Sequence, residues 1–297
     1  MSRETERVFR EMHKYLEQFE DLTEEEAEKK ISEFMDEYNA KLLAGEPVEK
    51  DQWYYLDLAM DAEDEKMARK HAQRALSIDP YCTDAELILI NLMDATMEEI
   101  KKRYEKLVEK TEAHLREEGY FEDDNIGDFY GILETRPYMR ALGEYLDLLI
   151  RLGKYRMAEA TAQKMIHLNE NDNMGARYRL IALYAVLEDT EAAESLYEQY
   201  PEENTFMLLP LVMLYYKKDD YTKARRYLKI AARKNPDLKK MMKEQLTEEY
   251  VEEQFSQGGY RPNTIGEILQ FFEEAEFLLE SSKGGILWLK NEVKKLK

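Results

Sequence analysis

The 297-residue chain carries a formal charge of −20, with 36% charged and 44% hydrophobic residues. That hydrophobic content is too high for a disordered acidic chain, and the negative field repels phosphate backbones and anionic lipid, so neither nucleic acid nor a membrane is an expected partner. A single cysteine, Cys82, excludes an intrachain disulfide framework, while only 12 glycines and 7 prolines among abundant Glu, Lys, Leu, Ala and Met favour helix throughout.

In chain order, Val8, Met12, Tyr15, Leu16 and Phe19 recur at three- to four-residue spacing and predict a first amphipathic helix. Thr23-Glu24-Glu25-Glu26 supplies a capping box, and Ile31, Phe34, Met35, Tyr38 and Leu42 form the next stripe, stopped by Gly45 and Pro47. The charged residues after Met1 lack the apolar core of a signal peptide, and no stretch of 18 apolar residues occurs, so the expected compartment is the cytoplasm.

A phrase then recurs. Ala68, Ala72, Ala75 and Pro80 share their spacing with Ala224, Leu228, Ala231 and Pro236, with Ala158, Ala162, Met165 and Glu170, and with Ala193, Tyr197 and Tyr200. A small residue where two helices cross lets their axes approach closely. A turn precedes each copy: Glu63-Asp64, Gly153-Lys154, Glu188-Asp189 and Asp219-Asp220. Residues 81–118 fit a degenerate further unit, with Leu87 on its first helix and Ile100, Tyr104 and Leu107 on a second helix reaching about Leu115. Residues 119–136 read as a loop. Beyond Pro236, helices are expected over about 237–255 and 264–281 and from Ile286, separated by Gly258-Gly259 and Gly284-Gly285.

Helix–turn–helix units with this small-residue phrase resemble tetratricopeptide repeats. Glu134-Thr135-Arg136-Pro137-Tyr138-Met139-Arg140-Ala141, Leu168-Asn169-Glu170-Asn171-Asp172-Asn173-Met174-Gly175 and the closing Gly284-Gly285-Ile286-Leu287-Trp288-Leu289 resemble one bacterial tetratricopeptide subfamily in particular, across roughly residues 120–290. Glu170 departs from that subfamily, which carries Pro there. The resemblance implies an all-α, right-handed helix-pair solenoid and carries no particular activity with it. The expected organisation is an N-terminal helical pair over 1–47, repeats over 48–118, a connecting loop over 119–137, three repeats over 138–236 and capping helices over 237–297.

In such arrays the first helix of each unit lines a concave groove. The register places Trp53, Asp57, Arg140, Asp147, Tyr178, Met213 and Tyr216 there, with aromatic and Met side chains as anchors for a protein or peptide partner. The same Leu and Met stripes also suit internal packing. The Lys, Asn and Arg clamp of chaperone-docking members is absent, because Trp53/Asp57, Gly143/Asp147 and Tyr178/Ala182 occupy its places. Arg136 and Arg140, one turn apart, could hold a carboxylate of a partner or of the chain itself, with Glu134 and Glu144 the nearest in sequence.

No catalytic, metal or cofactor site is expected. His13, His71, His114 and His167 are scattered, Cys82 lacks a partner, and residues 169–175 miss the Gly and Glu of a calcium loop. The expected function is a non-enzymatic scaffold or adaptor. Its rivals are a self-associating structural protein, such as a homodimer joined through Ile268, Phe271, Phe272, Phe277 and Trp288, and a peptide-sensing regulator without a DNA-binding domain of its own.

Overall fold

The structure, a computed structural model, describes residues 3–19, 22–44, 50–256 and 259–296. The expected helix stop at Gly45 and Pro47, the side chain of Leu42, and Gly258 lie outside the described residues. Among the described residues there are seventeen α-helices and one antiparallel pairing of two-residue strands, so the all-α class read from the sequence is observed. The chain divides into two compact units, residues 1–125 with 129–141, and residues 126–128 with 142–297. The division falls between Ala141 and Leu142, inside a single helix.

The first unit holds α1 (Arg3–Leu16), α2 (Glu24–Ala44), α3 (Gln52–Met60), α4 (Glu65–Ile78), α5 (Thr83–Asn91), α6 (Met97–Glu117) and the start of α7 (Arg136–Arg151). Local chemistry sets most of these boundaries. The Thr23 capping box closes as expected: its N–H donates to the Glu26 carboxylate at 3.0 Å and its hydroxyl accepts from the Glu26 N–H at 3.4 Å. Asp51 and Asp64 cap α3 and α4 by accepting from the N–H groups of Tyr54 and Met67, and Thr96 with Glu99 forms a second capping box on α6. Ala72 and Ala75 are fully buried where α3 and α4 cross, and Leu56, Ala59, Cys82 and Ala85 complete that core. The connecting segment has a small core of its own, in which Phe129 and Tyr138 are fully buried and Phe121 stands 4.9 Å from the Phe129 ring. Thr135 donates its hydroxyl to the carbonyls of Phe129 and Ile132, and α7 starts at Arg136, inside the segment expected as a connecting loop over 119–137.

The second unit contains the rest of α7, α8 (Tyr155–Leu168), α9 (Ala176–Leu187), α10 (Thr190–Gln199), α11 (Thr205–Lys217) and α12 (Tyr221–Lys234). It continues with α13 (Asp237–Met242), α14 (Glu248–Glu253), β1 (Phe255–Ser256), β2 (Gly259–Tyr260), α15 (Ile265–Glu274), α16 (Glu276–Glu280) and α17 (Lys283–Lys295). Three of the expected inter-helix turns share one backbone device. Gly153, Glu188 and Asp219 all adopt left-handed conformations, at φ 65°, 61° and 57°, which end one helix and aim the chain into the next. The crossing residues Ala158, Ala162, Ala193, Ala224 and Ala231 are buried, as the small-residue phrase requires. Helices α8 to α12 pack chiefly on sequence neighbours, while α9 also packs on α11.

Beyond Pro236 the sequence reading needs correction. The helix expected over about 237–255 is two short helices, separated where Glu244 turns left-handed at φ 58° and Thr247 caps α14. The helix expected over 264–281 breaks at Ala275, and the last begins at Lys283 rather than Ile286. Two buried carboxylates organise these pieces. Asp237 accepts from the Ile265 N–H at 2.9 Å and the Tyr250 hydroxyl at 2.8 Å. Glu267 accepts from the Thr205 and Asn263 N–H groups at 2.7 and 2.8 Å. Each thereby fills its own lone pairs and holds a loop that has no helical hydrogen bonds.

Candidate functional site

In the first unit the two arginines of the Glu134–Arg140 string have intrachain carboxylate partners. Arg140 makes a bidentate contact with Asp84, Nε to Oδ1 at 2.8 Å and Nη2 to Oδ2 at 2.6 Å, and reaches Glu6 at 3.1 Å. Arg136 donates Nε to the Tyr130 carbonyl at 2.7 Å and lies 3.4 Å from Glu6. The acids are Glu6 and Asp84, each 2% exposed, rather than the sequence-near Glu134 or Glu144. Burial alone would lower the Arg140 pKa, but Asp84 and Glu6 hold it above the ordinary value. Arg10, 3.6 Å from Glu6, lies flat on Trp53 at 3.4 Å from the ring centroid, and Arg7 pairs with Asp57 at 3.2 Å. The charged groups of this face therefore bind one another, and Trp53 is roofed by a guanidinium.

In the second unit the site residues part ways. Asp147 accepts from Arg179 Nε at 2.7 Å. Met213 is 1% exposed, and Tyr216 packs on Trp288 of α17 with ring centroids 5.4 Å apart. Helix α17 comes this close because of Gly285: a Cβ there would stand 2.7 Å from Met213 Cε and 3.0 Å from Tyr216 Cδ1. The C-terminal helices thus cover the later part of α11. Of the residues expected for self-association, Ile268 and Phe271 are buried within the chain, Phe277 faces Tyr155 at 5.8 Å and Trp288 packs on Tyr216.

Of the three anchors on α9 and α11, Tyr178 lines an open pocket. A pocket of about 390 Å³ lies at the N-terminal ends of α9 and α11, lined by Met174, Arg177, Tyr178, Arg179, Phe206, Tyr260 and Glu274 among others. Asp172 builds its floor. This residue is left-handed at φ 45°, and its carboxylate accepts from the N–H groups of Ala176 and Arg177 at 2.8 and 2.9 Å, closing the α9 N-terminus. Arg177 is gripped by Asp172 and Glu202, each at 2.9 Å. The Tyr178 hydroxyl donates to Glu202 at 2.6 Å, and burial together with that acceptor pushes its pKa up to about 12. Phe206 is nearly buried beneath the pocket, 5.2 Å from the Tyr178 ring and 6.0 Å from that of Tyr260. Gly143 leaves room for Met174, whose Cε would lie 3.1 Å from a Cβ there.

Sequence reasoning missed Arg179, Phe206, Tyr260 and Glu274. Arg179 adjoins Tyr178 and could have been read from register. Phe206 lies in a helix that is apolar on every side, where periodicity carries no signal.

The residues considered for catalysis stand in quiet surroundings. The Cys82 thiol is buried and its pKa pushed up to about 12, which keeps it protonated. His114 stacks on Tyr81 at 3.8 Å and His71 on Tyr55 at 6.3 Å. Among the described residues no three His, Cys, Asp or Glu side chains converge as a metal would require, and no helix is long and apolar enough to cross a membrane. In comparison with known proteins, the chain matches no protein-family model and no curated protein.

Proposed function

We propose that the chain is a non-enzymatic scaffold or adaptor built of tetratricopeptide-type repeats, wound as a right-handed helix-pair solenoid, which binds a segment of a partner protein on the face of its first helices. The observation that carries this reading is the pocket at the N-terminal ends of α9 and α11. Two successive first helices there present Tyr178 and Phe206 to one cavity, beside Arg179 and Tyr260. Its shape suits recognition more than chemistry: aromatic faces with polar groups already oriented by neighbours form a surface organised before a partner arrives. The covered state of Met213 and Tyr216 shortens the available face to the part bordering α7, α9 and the start of α11.

Photo-cross-linking in lysate of the producing cells tests this reading. A photo-reactive amino acid at position 173, on the pocket rim, should capture a discrete protein partner. The same group at exposed position 229 on α12 should not. Equal capture from both positions would remove the pocket from the proposal.

A further inference from the structure

We infer that the pocket takes a cationic side chain, a lysine or arginine projecting from a basic segment of the partner, and not an acidic group; the inference rests on the scaffold reading above. Both guanidinium groups at the pocket are already paired with carboxylates, although the buried Nε of Arg177 has no hydrogen-bond partner among the described residues. Arg177 is held by Asp172 and Glu202, each at 2.9 Å, and Arg179 by Asp147 at 2.7 Å. An anion would have to compete with these carboxylates for the same two groups.

The balance of charge runs the other way. Four carboxylates, those of Asp172, Glu202, Asp147 and Glu274, surround two guanidinium groups. Glu274 is exposed at the wall and accepts from the Gln270 side-chain amide at 3.0 Å, with no ion pair to it among the described residues. It is the uncompensated charge of the site. Facing the same space are the rings of Tyr178 and Tyr260, both half-buried; the Arg177 guanidinium already lies over the Tyr178 ring at 4.3 Å, so Tyr260 is the ring whose π face attracts a second cation once water is partly excluded. A volume of about 390 Å³ is at the small end for ligand pockets and suits one long side chain better than a helix. The chain's net charge of −20 draws a basic segment toward it and repels an acidic one.

The test titrates the intact chain at about 0.15 M salt with three probes: a hexa-arginine peptide, a hexaglutamate peptide and a neutral glycine–serine peptide of equal length. Two variants separate the pocket from the general field. Glu274→Gln removes the wall charge, and Glu280→Gln makes the same charge change at a surface position outside the pocket. The expected result is hexa-arginine binding that weakens about two- to fivefold in Glu274→Gln, stays unchanged in Glu280→Gln, and weakens likewise in Tyr260→Ala.

Equal binding by all variants would mean attraction to the overall charge and would overturn the assignment. Binding of hexaglutamate or the neutral peptide, lost in Tyr260→Ala, would overturn the cationic occupant and leave the scaffold reading standing. No binding of any probe, together with equal capture from positions 173 and 229, would sink both.

Discussion

Arg140 shows what one side chain settles in this protein. Its guanidinium fork is matched by Asp84 and its remaining edge by Glu6, so three segments of the first unit meet on a single group. Removing Asp84 leaves the guanidinium groups of Arg10, Arg136 and Arg140 around the carboxylate of Glu6. Asp84→Ala should therefore lower unfolding stability by about 3–5 kcal/mol, read as a shift in the urea midpoint. A change below about 1 kcal/mol would mean that solvent had replaced the carboxylate. At the same scale, buried hydroxyls set an alkaline limit. The pKa values of Tyr178 and Tyr215 are pushed up to about 12, first by burial and then by hydrogen bonds to Glu202 and Glu194. A group whose folded pKa is raised contributes stability that is complete below its unfolded value, about 10 for tyrosine, and is lost as pH rises through the folded value. The urea midpoint should thus hold steady to about pH 10 and fall between 10 and 12. Phenolate absorbance should lag behind that of free tyrosine over this range, with a smaller lag in Tyr178→Phe.

Among the elements, α17 is the most consequential. It meets α11 at Gly284 and Gly285, where any side chain would intrude on the Tyr216 hydroxyl or on Met213. Gly285→Leu should force α17 away, with a loss of about 1–3 kcal/mol as expected for overpacking. Trp288 emission should shift to longer wavelength as its contact with Tyr216 opens. An unshifted spectrum would show that the interface re-forms around the larger residue. The helix pairs themselves were legible in the sequence because their cause is local: alanines at the crossings and Asp or Thr caps at the entrances leave a short-range mark. Even the left-handed turns at Glu188 and Asp219 coincide with turns read from residue type. What covers a helix is not local. The sequence offered Met213 and Tyr216 as groove residues, and nothing within α11 distinguishes a face awaiting a partner from one covered by a helix some seventy residues later. The partners of Arg136 and Arg140 were hidden for the same reason, since Glu6 is separated from Arg140 by 134 positions.

At the scale of the whole molecule, charge and packing pull in opposite directions. A formal charge of −20 keeps molecules apart and also sets each chain against itself. Screening shortens the reach of that repulsion from about 10 Å at 0.1 M salt to about 3 Å at 1 M. Thermal unfolding should move upward by a few degrees as sodium chloride is raised across that range. A downward movement would show that exposed pairs such as Arg179 with Asp147 outweigh the general repulsion.

The contact of Glu6 with Arg140 also has a meaning in time. Most helices here find their neighbours within a few dozen residues, so they can close soon after leaving the ribosome. Glu6 emerges first, and at roughly 5–20 residues per second the arginine that neutralises it follows roughly 7 to 27 seconds later. For that interval α1 carries a carboxylate with no Arg140 to bury it against. The ion cluster is therefore a late clasp on the nascent chain, closing only after every other helix of the first unit has been made.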